Sequence, residues 1–119
     1  MHKILRYTGS NQLYKGSLAT IILKLLEEKG RMYGYQITQE VKALSAGEFV
    51  ITEGALYPML HKLEADGMLT VETEMIGNRM RKYYSITHDG KKEVVDRMAE
   101  MEAFIRHMQT LLNPNIELA

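Results

Sequence analysis

Four histidines, at His2, His61, His88 and His107, are the residues of this chain best suited to acid–base or metal chemistry, and their spacing supplies neither. A zinc site needs three or four ligands converging on one point. The pairs His61-x-x-Glu64 and His88-Asp89 stop at two, and there is no cysteine. No glycine-rich phosphate loop and no nucleophile elbow occur either. The pattern predicts no catalysis, no metal and no cofactor. What remains is cationic and phenolic chemistry. Residues 77–92 carry Arg79, Arg81, Lys82, Lys91 and Lys92 against Asp89 alone, a local charge of +4. Residues 51–76 carry Lys62 against Glu53, Glu64, Asp66, Glu72 and Glu74, or −4. The whole chain is neutral, with 15 basic and 15 acidic residues, so a polyanion would be met by the basic spot and not by total charge.

The elements that must carry these residues follow from periodicity and caps. Leu18, Ile21, Ile22, Leu25 and Leu26 repeat at helical spacing between Ser17, a candidate N-cap, and Gly30, a terminator. After a three-residue connection a second helix runs from about Gly34 through Ile37, Val41 and Leu44 to the Ser45-Ala46-Gly47 breaker. Thr52 caps a third, with Leu56, Met59, Leu60 and Leu63 on its buried side and Gly67 at its end. Pro58 predicts a kink or a late start near Gly54. From Met68 the period becomes two: Leu69, Val71, Thr73 and Met75 share one face of a strand, Gly77-Asn78 reverses the chain, and residues 82–86 return. Thr87 then opens a long helix in which Val94, Met98, Met101, Ile105, Met108 and Leu112 form a heptad seam, ending at Asn113-Pro114. Such a narrow stripe on a projecting helix predicts a second copy of the chain, a homodimer.

The fold class expected is mainly α with a β-hairpin wing: a winged helix-turn-helix over residues 16–87 and a C-terminal dimerisation helix over 88–113. Residues 1–15 would pack on the dimer interface and 114–119 would form a tail. A chain of 119 residues supports one hydrophobic core. The lack of cysteine fits a reducing, cytoplasmic setting. The apolar window from Leu18 to Leu26 is far shorter than a membrane span, so no membrane partner is expected.

Three motifs in this order resemble the PadR transcriptional regulators. Thr52-Glu53-Gly54-Ala55-Leu56-Tyr57-Pro58-Met59-Leu60, continuing to Leu69, is similar to that family's third-helix signature. The stretch from Asn78-Arg79-Met80-Arg81-Lys82-Tyr83-Tyr84 to Gly90 is similar to its wing and the start of its fourth helix, and Tyr33-Gly34-Tyr35-Gln36-Ile37 to its second-helix opening. Several relatives have arginine where this chain has His61. The resemblance, which covers about residues 16–92, implies a cytoplasmic homodimeric repressor of transcription, relieved by a small molecule or another signal.

If the third helix enters the major groove of double-stranded DNA, the residues off its apolar stripe face the operator: Gly54, Ala55, Tyr57, Pro58, His61 and Lys62, with Thr52 at its start. Arg79, Arg81 and Lys82 would reach phosphate or the minor groove from the hairpin tip. Tyr33 and Tyr35 flank the start of the second helix, where N–H groups favour phosphate. A soft Met98, Met101 and Ile105 interface, with Leu13 and Tyr14, would admit a small apolar or aromatic effector. The competing reading is a winged-helix protein–protein adaptor that binds no DNA, since the fold alone does not dictate function.

Overall fold

Among the described residues, helix α1 (Leu18–Lys29) buries Leu18, Ile22, Leu25 and Leu26 as its spacing predicts, leaves Ile21 half-buried and buries Leu23 in addition. In this computed structural model, which describes Tyr14 and residues 16–113, Gly30 ends α1 with a φ of 85° and donates to the Leu26 carbonyl at 3.0 Å. Apart from Tyr14, the N-terminal segment of residues 1–15 and the tail of residues 114–119 lie outside the described residues. Ser17 does not cap α1. Its backbone is already helical and its hydroxyl donates backwards to the Tyr14 carbonyl at 2.9 Å.

The three-residue connection after Gly30 holds a strand that periodicity does not reveal, β1 (Met32–Tyr33). Two residues cannot display a period of two. Helix α2 (Gly34–Leu44) follows at once, buries Ile37 and Val41, and leaves Leu44 exposed against expectation, because its last turn runs past the core. The Gln36 side chain accepts from the Tyr33 N–H at 3.1 Å. The breaker works through consecutive left-handed residues, Ala46 at φ 53° and Gly47 at φ 81°.

Helix α3 (Glu53–Ala65) begins where Thr52 Oγ1 accepts from the Ala55 N–H at 3.3 Å, and it buries Leu56, Leu60 and Leu63. It is continuous through Pro58, with no late start. The N–H that proline lacks would have reached the Gly54 carbonyl, in the exposed first turn, where water substitutes. The helix closes in a Schellman motif: Gly67, at φ 79°, donates to Glu64 O at 3.0 Å and Met68 N–H to Leu63 O at 2.9 Å.

Strands β2 (Leu69–Ile76) and β3 (Arg79–Ile86) form the expected hairpin, and β1 joins its far side to give an antiparallel sheet ordered β1-β3-β2. Only Gly77 of the two turn residues has positive φ, 62°, the pattern of a type II′ turn. The pairs Leu69↔Ile86 and Val71↔Tyr84 lie on the core face. Burial pushes the Tyr84 phenol above its ordinary pKa, helped by the nearby Tyr57 and Glu64. Beyond Val71 the core ends, so Thr73 and Met75 continue the same face into solvent.

Thr87 joins the wing to the last helix, α4 (His88–Leu112): Oγ1 accepts from the Gly90 N–H at 3.0 Å and donates to the Gly67 carbonyl at 2.7 Å. Helix α4 packs along α1. Val94, expected at the head of the dimer seam, is instead 1 % exposed within its own chain's core, because the first turns of α4 are covered by α1. The architecture is a mostly helical domain with a small three-stranded wing and a long C-terminal helix.

Candidate nucleic-acid interface

The solvent face of α3 carries Gly54, Tyr57, Pro58, His61 and Lys62, all exposed, opposite the stripe that Leu56, Leu60 and Leu63 bury. That separation is the one a 3.6-residue repeat imposes. Ala55, expected beside Gly54, packs half-buried against the core, and the Thr52 oxygen is occupied by the cap. Lys62 is paired with Asp66 at 3.1 Å, an exposed bridge that a competing phosphate displaces at little cost.

The Tyr57 side chain also reaches across to α2. Its phenol lies over Gly34, so closely that a Cβ on Gly34 would meet the Tyr57 ring carbon Cζ at 2.8 Å and the hydroxyl oxygen nearer still. Only glycine permits this approach. Tyr35, one residue on, is exposed on the first turn of α2.

Between Tyr57, Gly34 and the outer half of β3 lies a cleft of about 290 Å³, lined also by Tyr33, Met80, Arg81, Lys82 and Tyr84. It exists because β1 pairs only with Tyr83 and Tyr84, leaving the β3 edge uncovered from Lys82 outwards. Two cations, phenol groups and the start of a helix line it, and no acid does. A phosphodiester group matches that lining in charge and hydrogen bonding.

On the face of the sheet away from the core the side chains are locked together. Arg31 stacks over the Tyr83 ring at 4.2 Å, Tyr83 meets Tyr33 edge-on at 5.6 Å, and Arg81 lies over Tyr33 at 4.0 Å. Arg81 Nη1 donates to the Tyr83 hydroxyl at 3.5 Å, and Arg31 Nη2 donates to both Glu74 carboxylate oxygens at 3.1 Å. These bonds raise the pKa of both guanidinium groups above the ordinary value. Tyr33 and Arg81, both expected at DNA, are therefore members of a ladder that sets the attitude of the wing. Periodicity held no signal for Arg31, which lies in the connection before β1.

The segregation of charge along the sequence does not survive folding. The acidic and basic stretches supply the two arms of one hairpin, so Glu74 faces Arg81 and Glu72 faces Tyr83 across the ladder. Arg79, opposite Ile76, and Lys82, opposite Thr73, keep exposed positive charge on the wing.

Along α4, Met98, Met101 and Met108 are half-buried, while Ile105 and Leu112 are exposed. Val95, Phe104 and Leu111 add exposed apolar surface outside the seam. Of the expected effector residues, Leu13 lies outside the described residues and Tyr14 stacks edge-on against Phe49 at 5.3 Å. The apolar groove beside Phe49 is lined by Ile21, Leu25, Val41 and Leu44, not by Met98, Met101 or Ile105. Among the described residues no group of three acidic, histidine or cysteine side chains is placed to hold a metal ion. No described helix is long and apolar enough to cross a membrane.

Comparison with known proteins agrees with this geometry. Residues 22–96 match the transcriptional regulator PadR-like family. A transcriptional regulator of Mycobacterium tuberculosis is 34% identical over 77 residues, 65% of this chain and 69% of that protein. The structure of a transcriptional regulator from Clostridium thermocellum superimposes with a TM-score of 0.77 at 29% identity, covering 90% of this chain and all of the other. Bacillus subtilis PadR, a negative transcriptional regulator, has been solved with operator DNA. That structure matches with a TM-score of 0.62 at 34% identity, over 68% of this chain and 46% of its own length.

Proposed function

Since this chain belongs to the PadR-like family of transcriptional regulators, which are not enzymes, we propose that it acts as a sequence-specific repressor, binding operator DNA as a homodimer. The observation that carries the reading is the cleft between Tyr57 and Lys82, flanked by the exposed face of α3 on one side and the wing on the other. With α3 in a major groove, Gly54 permits close approach, while Tyr57, Pro58, His61 and Lys62 face base edges and phosphate. The sugar–phosphate backbone bordering that groove runs through the cleft, beside Lys82 and Arg81, with Tyr35 near it and Arg79 beyond. Arg81 serves from its place on Tyr33, presenting the edge of its guanidinium that the stack leaves open.

The exposed apolar residues of α4, Ile105 and Leu112 within the seam and Phe104 beside it, support pairing with a second copy. Half-buried Met98, Met101 and Met108 give that contact the adaptability to admit a small apolar or aromatic effector. The negative regulator of Bacillus subtilis supports repression as the direction of control.

Selection of bound fragments from random DNA tests the reading directly. The expected product is a two-fold symmetric site with half-sites about 34 Å apart, one turn of DNA. Replacing Lys82 by alanine then reduces the salt slope of binding by roughly one, the signature of one phosphate contact. Failure to enrich any fragment at low salt would sink DNA binding, and an unaltered slope would remove Lys82 from the interface.

A further inference from the structure

The turn end of the wing is apolar. Met75 and Met80 are cross-strand partners one step from the Gly77-Asn78 reversal, 60 % and 63 % exposed, and Ile76, on the other face opposite Arg79, is 42 % exposed. None of them serves the core, which stops two rungs away at Val71 and Tyr84, with Thr73 and Lys82 between. Hairpin ends ordinarily carry polar residues, and an exposed pair of large apolar side chains on one face of a projecting element marks a contact surface.

Resting on the DNA-binding reading above, we infer that Met75 and Met80 give this tip a sequence preference: they seat against the walls and floor of the minor groove next to each half-site and select A·T pairs there. Three observations point to DNA as the occupant. Met80 forms part of the rim of the cleft that ends at Tyr57, so the tip continues the same surface. A DNA backbone lying in that cleft has the major groove on the α3 side and the adjoining minor groove on the tip side. The tip's surroundings are positive: Lys82 shares the face of Met75 and Met80, and Arg79 adjoins the turn. The nearest acids, Glu72 and Glu74, point to the opposite face, where Arg31 neutralises Glu74.

The chemistry sets the preference. A minor groove about 6 Å wide admits unbranched side chains, and apolar wedges of Met and Ile are a known means of engaging it. An A·T pair presents only acceptors on the groove floor, whereas G·C adds the guanine amino donor. Methionine offers that amino group at best a weak sulfur acceptor, so burying it against Met75 and Met80 leaves a donor unsatisfied. The methionines therefore discriminate without a directed hydrogen bond.

The test uses the full chain and a duplex it enriches from random DNA, with A·T pairs flanking the half-sites replaced in two ways. Inosine·cytosine keeps the A·T minor-groove face, while 2,6-diaminopurine·thymine adds the amino group to it. The parent is expected to lose roughly fivefold or more in affinity on diaminopurine, the lower end of what one mismatched pair costs, and to be unaffected by inosine at these positions. In the double variant M75Q/M80Q, altered only at exposed sites, the ratio of affinities for the parental and diaminopurine duplexes falls to near one, whatever its overall affinity. An equal penalty in parent and variant, or none in the parent, overturns the inference while leaving DNA binding intact. Failure of the parent to enrich any duplex overturns the DNA-binding reading itself.

Discussion

Replacing Gly90 by alanine sets two effects of similar size against each other. Gly90 lies in the first turn of α4, where alanine is intrinsically better by about 1 kcal/mol. Its Cβ, however, would stand 2.7 Å from Ile86 Cγ1 and 3.2 Å from the Met68 carbonyl carbon, with the carbonyl oxygen closer still. The Ile86 side chain can turn aside. The Met68 peptide cannot, because its oxygen accepts from Thr87 N–H at 3.0 Å and its N–H is held by Leu63. Overpacking against such a site costs about 1–3 kcal/mol, and each hydrogen bond stretched to relieve it costs about 1 kcal/mol more. The clash wins by about 1–3 kcal/mol, which for a domain of this size lowers Tm by roughly 4–8 °C per kcal/mol. Circular dichroism melts of G90A and parent at matched protein concentration give the answer, since self-association makes Tm depend on concentration. A Tm at or above that of the parent would refute the close junction between wing base and α4.

Three further substitutions separate the roles assigned above. V94A should cost about 2 kcal/mol in chemical denaturation as a lost core side chain, yet leave the association of folded chains unchanged in sedimentation, whereas I105D should weaken association. Dissociation by V94A alone would return Val94 to the interface. G34A forces the half-exposed Tyr57 ring aside without touching the core, so affinity for the selected duplex should fall about tenfold, of the order of one lost contact, with Tm nearly constant; unchanged affinity would remove Tyr57 from the DNA surface. R31A should weaken DNA binding although Arg31 lies behind the wing, by releasing Glu74 and Tyr83, and E74Q should do the same without removing a positive charge. Binding by E74Q at parental strength would show that the ladder does not position the wing.

The elements most legible in the sequence were those that announce both ends. Thr52 with Gly67, and Thr87 with Asn113, bracket α3 and α4 where the structure places them, because caps and left-handed exits are local chemistry. Strand β1 was invisible: two residues carry no period, and its existence depends on Tyr83 and Tyr84 fifty positions away. Val94 and Ile105 lie on the same heptad seam, yet one faces its own domain and the other solvent. A period of 3.5 shows that a stripe will be covered and is silent about which chain covers it. The charge pattern misled for a related reason, since a hairpin brings together stretches that are separate in sequence, setting Glu74 against Arg81. For the candidate site, the exposed side of α3 followed from its buried side, but the cleft did not. It is a gap left where β1 stops.

The Thr87 hydroxyl, bonded at once to Gly67 and Gly90, has a mechanical consequence. It clamps the exit of α3 to the entrance of α4, so no slack linker separates α3 from the 25-residue rod behind it. That rod is about 37 Å long at 1.5 Å per residue, and a tilt of ~5° about Thr87 sweeps Leu112 through ~3 Å. In the opposite direction, whatever grips the far end of α4 aims α3 with a long arm, and small displacements there become finely geared changes of angle at its exposed face.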